Sequence, residues 1–129
     1  MENYKQIGIW MDHAEAHLME LRNDSIIKSK IETDFTPIER EETLNRSEHI
    51  MHHKEQQLQH EYYKKIADAV KDFGNVVIFG PTTAKNELYN LLKADPHFEN
   101  IRIEVKPTDK LTEHQQEAFV KHHFQYQLK

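Results

Sequence analysis

The sequence predicts an α/β fold: a mixed five-stranded sheet with helices on both faces, its elements in the order β-β-β-α-β-α-β-α. Three observations carry this reading. Residues 6–32 hold three short apolar stretches separated by Asp12-His13 and by Asn23-Asp24-Ser25, the pattern of an antiparallel meander. A helical stripe then runs from about Ser47 to Phe73. Beyond it two apolar strands alternate with two shorter helices, as crossover units do.

Each element has its own justification. "QIGIWMD" (6–12) is apolar on both faces, Ile7, Ile9 and Met11 against Gly8 and Trp10, which suits a central strand covered on two sides. "AEAHLMELR" (14–22) follows after only Asp12-His13, so the two read as a hairpin. "IIKSKIE" (26–32) alternates Ile27, Ser29 and Ile31 against Ile26, Lys28 and Lys30, as a half-exposed strand does. Residues 34–47 show no clear period and contain Pro37, and are expected to form a loop. In the long helix Met51, Leu58, Tyr62, Ile66, Ala69 and Phe73 form the expected buried stripe, and Gly74 is the expected stop. "VVIFG" (76–80) has the β-branched, continuous character of a buried parallel strand. The next helix presents Ala84, Leu88, Leu91 and Leu92 on one face and ends before Asp95-Pro96. "IRIEVKP" (101–107) points Ile101, Ile103 and Val105 inward, and a last helix, about 112–126, buries some set of Ala118, Phe119, Val120 and Phe124. Three antiparallel strands followed by two crossovers give the layout of the ribonuclease H-like three-layer fold.

Composition bounds the function classes. At 129 residues the chain, 1–129, is expected to form a single domain. No apolar run approaches the length of a membrane span, and "MENYKQ" lacks the form of a secretory signal, so a cytoplasmic protein without membrane partners is expected. With no cysteine, disulfides, thiolate metal sites and a cysteine nucleophile are excluded. The net charge of −5 denies nucleic acid a uniformly attractive surface, although the ten histidines can add positive charge near neutral pH.

Motif by motif, chemistry narrows. "NVVIFGPTTAKNEL" (75–88) runs a strand through Gly80-Pro81 into a helix, but a phosphate loop needs several glycines so that backbone N–H groups converge on the anion. Gly80 as the turn and Thr82 or Thr83 as the helix cap explain the stretch, with Lys85 left as a candidate phosphate contact. Two-metal nuclease chemistry on this fold would need carboxylates from the first strand, the long helix and the fourth strand. Asp12, Glu48, Glu55 and Glu61 supply the first two, but "NVVIFGP" offers none, and Asp12 is better read as serving its own turn. His49 and His53, like His13 and His17, stand four apart, yet "HIMHH" lacks the glutamate of a helical metalloprotease signature. No catalytic residue, metal site or cofactor is therefore expected. The long helix, with Arg46, His49, His53, Lys54, His60, Lys64, Lys65 and Lys71 among glutamates and glutamines, reads as a solvated face or a docking face, aided by Tyr62 or Tyr63 if either is exposed.

"GIWMDHAEAHLMEL", "HHKEQQLQHEYYKKIADAV" and above all "VVIFGPTTAKNELYNLL" together resemble the middle domain of eukaryotic and archaeal class-1 peptide-chain release factors and of Pelota. They resemble more closely the bacterial single-domain proteins often labelled translational machinery or host attachment proteins. In release factors a Gly-Gly-Gln loop between the third strand and the long helix enters the ribosome to hydrolyse peptidyl-tRNA. The corresponding segment here, 34–47, has no glycine, and Gly8, Gly74 and Gly80 are the only glycines in the chain. The resemblance thus implies a non-catalytic, translation-related protein whose partner is the ribosome or tRNA, with Arg40, Arg46, His49, His53, Lys54 and Lys85 as the expected RNA contacts. The alternative is a protein-interaction or self-associating module (a homo-oligomer among the possibilities) using the histidine-rich helix; a metal-dependent nuclease ranks below both.

Overall fold

The computed structural model describes residues 5–23, 25–33 and 48–127, with side chains at 56–125 in the C-terminal part. The expected 34–47 loop lies outside the described residues, and the side chain of Met51 outside the described side chains. Five strands, β1 (Gln6–Met11), β2 (Glu15–Arg22), β3 (Ser25–Glu32), β4 (Asn75–Gly80) and β5 (Arg102–Pro107), form one sheet in the order β3-β2-β1-β4-β5. β1 pairs antiparallel with β2 and parallel with β4, β2 antiparallel with β3, and β4 parallel with β5. Three helices, α1 (Glu48–Val70), α2 (Ala84–Lys93) and α3 (Glu113–Gln127), and a 3-10 turn at Pro96–Phe98 complete the described architecture.

Alternation along β1 and β4 divides the interior into two cores. Ile7, Ile9, Met11, Val76 and Ile78 meet Tyr62, Tyr63, Ile66, Ala67 and Val70 of α1 and Ala84, Leu88 and Leu92 of α2. Trp10, Met19, Val77 and Phe79 meet Val120 and Phe124 of α3. The central strands are buried on both sides, as the continuous apolar runs require. Gly8 faces α3, where a Cβ would stand 2.3 Å from Val120 Cγ2, so the missing side chain sets how closely α3 approaches the sheet.

Several local expectations are corrected. α1 turns Tyr63, Ile66, Ala67 and Val70 inward and leaves Ala69 exposed, because a helix on a flat sheet buries a stripe wider than one residue per turn. α3 buries Gln116, Val120 and Phe124 at intervals of four and exposes Ala118. Its start is a reciprocal cap: Gln115 N–H donates to Thr112 Oγ1 (3.2 Å) and Thr112 N–H to Gln115 Oε1 (2.9 Å). Of the two expected caps of α2, Thr82 serves, its Oγ1 accepting from Ala84 N–H at 3.2 Å, while Thr83 makes no capping bond with its side chain. Gly74 is not a left-handed stop, and its N–H reaches Lys5 O at 3.1 Å, tying the end of α1 to the start of β1. On the edge strand β3, Ile26 and Ile31 pack against opposite cores while Ile27 stays 45% exposed.

Candidate functional site

β1 and β4 are parallel neighbours whose chains leave in opposite directions, β1 to β2 and β4 by way of α2 to β5. The crevice beyond the carboxyl ends of two such strands is where open α/β sheets place their ligands. Gly80 ends β4 there with φ +153°, and a Cβ on it would stand 2.2 Å from Met11 O, so only glycine lets the strand ends meet this closely.

A polar network closes this end. Asp12 Oδ1 accepts from the backbone N–H groups of Ala14 (2.7 Å) and Glu15 (2.9 Å), so the carboxylate holds its own turn, as the sequence implies. From α1, Tyr62 donates its hydroxyl to Asp12 O (2.9 Å) and Gln59 Nε2 donates to His13 O (3.2 Å). Glu87, in the first turn of α2, is the hub. It accepts from Tyr63 Oη at 2.6 Å and from Thr83 Oγ1 at 3.2 Å, and His13 Nε2 lies 3.1 Å away. Partial burial works against the Glu87 carboxylate, but the bonds from Tyr63, His13 and Thr83 and the charge of His13 outweigh it, and its pKa falls below the usual value. The hydroxyls of Tyr62 and Tyr63 are pushed well above their usual range, chiefly by burial; Asp12 adds to the effect at Tyr62 and Glu87 at Tyr63.

This arrangement is better suited to holding elements together than to turnover. A histidine backed by a carboxylate can accept a proton at its other ring nitrogen. Here, however, both hydroxyls beside the pair, those of Tyr63 and Thr83, donate to Glu87 and not to the imidazole. No group of three or more metal-ligating side chains occurs among the described residues. Glu61 is exposed on α1, and Glu48 and Glu55 have no described side chains.

Of the expected RNA contacts, Arg40, Arg46, His49, His53 and Lys54 lie outside the described residues or side chains. Lys85 is 6% exposed, and its ammonium donates to Thr82 O, so in this conformation it faces its own helix start and not solvent. Tyr62 and Tyr63 are both buried, which removes them as a stacking platform. His13 and His17 diverge, His13 to Glu87 and His17 to Gln116 on the far side of the sheet. Sequence reading missed Glu87 and Tyr63. Their only signals are a glutamate four residues after Thr83 and a tyrosine pair in the middle of a helical stripe, and neither declares a partner in another element.

No protein-family model and no curated protein sequence matches this chain. Among solved structures it is similar to Archaeoglobus fulgidus Pelota, with a TM-score of 0.60 and 13% identity over 94% of this chain and 32% of that one. Thermoplasma acidophilum Pelota gives a TM-score of 0.58 and 13% identity, covering 93% and 33%. The archaeal translation termination factor aRF1 gives 0.49 and 15%, covering 96% and 40%. The chain spans about a third of the length of the Pelota proteins, and at these identities the likeness is one of fold.

Proposed function

We propose that this chain is a translation-related domain that docks on the ribosome or tRNA in the cytoplasm and carries no peptide-release chemistry. The observation that carries the reading is the match of nearly the whole chain to Pelota at a TM-score of 0.60, in a sequence with no Gly-Gly-Gln anywhere. Arg40, Arg46, His49, His53 and Lys54 would supply the RNA contacts ahead of and at the start of α1. Asp34, Glu39, Glu41, Glu42, Glu48 and Glu55 are interleaved with them, so binding would strengthen as the histidines gain protons and weaken with salt. Cosedimentation with ribosomes across a salt series tests it. The expected result is association at low salt that declines as salt rises; complete absence from the ribosomal fraction at low salt refutes the reading.

A second reading, a protein-interaction or self-associating module, is favoured by the described surface of α1. Glu61, Lys64, Lys65 and Asp68 are all exposed there, with Lys71 and Asp72 exposed just beyond its end, a mixture of both signs that gives a polyanion little net attraction. Nuclease treatment of a pulldown separates the two readings, because an RNA-mediated association collapses and a protein contact survives.

A further inference from the structure

On the opposite side of the sheet from the Glu87 network, a pocket of about 240 Å³ opens between the first turn of α3 and the β2–β3 surface, lined by His17, Met19, Lys28, Lys30, Glu113 and Gln116. We infer that this pocket takes a single nucleotide, the base inside and the phosphate at Lys28 and Lys30, either as a free nucleoside monophosphate or as an unstacked residue of RNA.

Size comes first. Pockets for whole drug-sized ligands run from about 300 Å³ upward, so this volume suits one ring system. The walls suit a planar one: the His17 imidazole, the buried Met19 thioether and the lysine stems offer apolar contact to a base face. The imidazole is held in place. Gln116 is only 2% exposed; its Nε2 donates to Leu111 O (3.0 Å), which turns its Oε1 to accept from His17 Nδ1 (2.8 Å). That chain of bonds fixes the ring orientation and places a proton on Nδ1, while Nε2 faces Glu15 Oε1 at 3.4 Å. A buried glutamine with both polar ends committed to positioning one imidazole at a cavity wall is an arrangement that binding uses and packing does not need.

Rim chemistry supplies the rest. Lys28 Nζ lies 3.3 Å from Glu117, and Lys30 Nζ 3.1 Å from Glu15 and 2.9 Å from Glu32. These are half-exposed pairs that contribute little by themselves, so exchanging a carboxylate for a phosphate is nearly neutral. Affinity then rests on the base in the pocket, and salt dependence is shallow. Glu113 presents a carboxylate that can accept from an exocyclic amino group, as glutamate does at cytosine N4.

The chain's one tryptophan reports on the site: the Trp10 ring centroid is 5.0 Å from that of His17, and its indole N–H has no acceptor among the described residues. The test follows the single indole N–H signal of the 15N-labelled full chain during titration. Adenosine monophosphate is expected to shift it saturably, while ribose 5-phosphate and inorganic phosphate at equal concentration leave it unmoved. Lys28→Glu weakens the nucleotide about tenfold by reversing a rim charge, and Lys64→Glu on α1 leaves affinity unchanged. No saturable shift, an equal shift with phosphate alone, or equal affinities for the two charge-reversal variants overturns the inference. A hexa-adenylate that binds more tightly than the monophosphate identifies RNA as the source; equal affinity identifies the free nucleotide, and either outcome upholds the site. Ribosome sedimentation is a separate measurement, so the pocket and the proposed function can fail independently.

Discussion

Gly8→Ala tests the packing that positions α3 and, through it, the His17 pocket. An alanine Cβ at this position would stand 2.3 Å from Val120 Cγ2, 3.1 Å from Cγ1 and 3.2 Å from Cβ. Carbon atoms rest at about 3.5–4 Å, so α3 must retreat or Val120 must leave its rotamer, at an overpacking cost of about 1–3 kcal/mol. Val120→Ala removes two buried methyl groups and costs about 2 kcal/mol. The two substitutions should not add. With both in place the methyl-to-methyl clash is gone, only the 3.2 Å approach to Cβ remains, and the alanine at position 8 refills part of the space lost at position 120. Urea denaturation of the four proteins should therefore return a favourable coupling of about 1–2 kcal/mol with an unchanged dependence on denaturant. Additivity within about 0.5 kcal/mol, or a neutral Gly8→Ala, would refute the argument that the missing side chain sets the height of α3. Gln116 lies one helical turn before Val120, so Gly8→Ala should also disturb the Gln116–His17 bond and move the Trp10 indole signal.

Other expectations concern the network and the strand ends. Tyr63→Phe removes the 2.6 Å bond to the half-exposed Glu87 and should cost about 1 kcal/mol at neutral pH, shrinking as the carboxylate is protonated; an unchanged difference at acid pH would dissociate the two residues. Gly80→Ala forces a Cβ onto Met11 O and should leave the chain insoluble or destabilised by more than about 3 kcal/mol; a soluble variant with wild-type thermal stability would contradict the geometry. Acidification should destabilise the fold in two stages. Burial holds His123 below its ordinary value against the pull of Glu104, so the unfolded chain takes that proton first and stability falls as pH drops through the ordinary histidine range. The pKa of Glu87 is lowered in the fold, so its contribution is present above the ordinary glutamate range and is lost as pH falls through its folded value. In a pH series of thermal melts, Glu87→Gln should flatten the lower limb and leave the upper one.

Local pattern and pairwise geometry differ in how far the sequence exposes them. The strands, the three helices and the two-sided burial of β1 and β4 follow from alternation, helical period and Gly, Pro and Asx punctuation, all of which act within a few residues. The role of Asp12 was legible for the same reason, since its hydrogen bonds close within its own turn. Lys85, the candidate phosphate contact, lies buried, because a long aliphatic stem can pack inside while its ammonium returns to a nearby carbonyl, here Thr82 O. Ala69 misled, and Ala118 was left open, because alanine fits either face of a helix and only the neighbour's shape decides between them.

By itself the sequence determined the fold class, the order of elements, the absence of thiol chemistry and the lack of a Gly-Gly-Gln motif, because each is written in local periodicity or in composition. Tertiary structure alone decided that Glu87 gathers Tyr63, Thr83 and His13, that Gln116 aligns His17 across 99 positions of chain, and that Gly8 admits α3. Hydrogen bonds and close packing depend on distances of a few ångströms between elements, and those distances are fixed only when the sheet brings remote segments together.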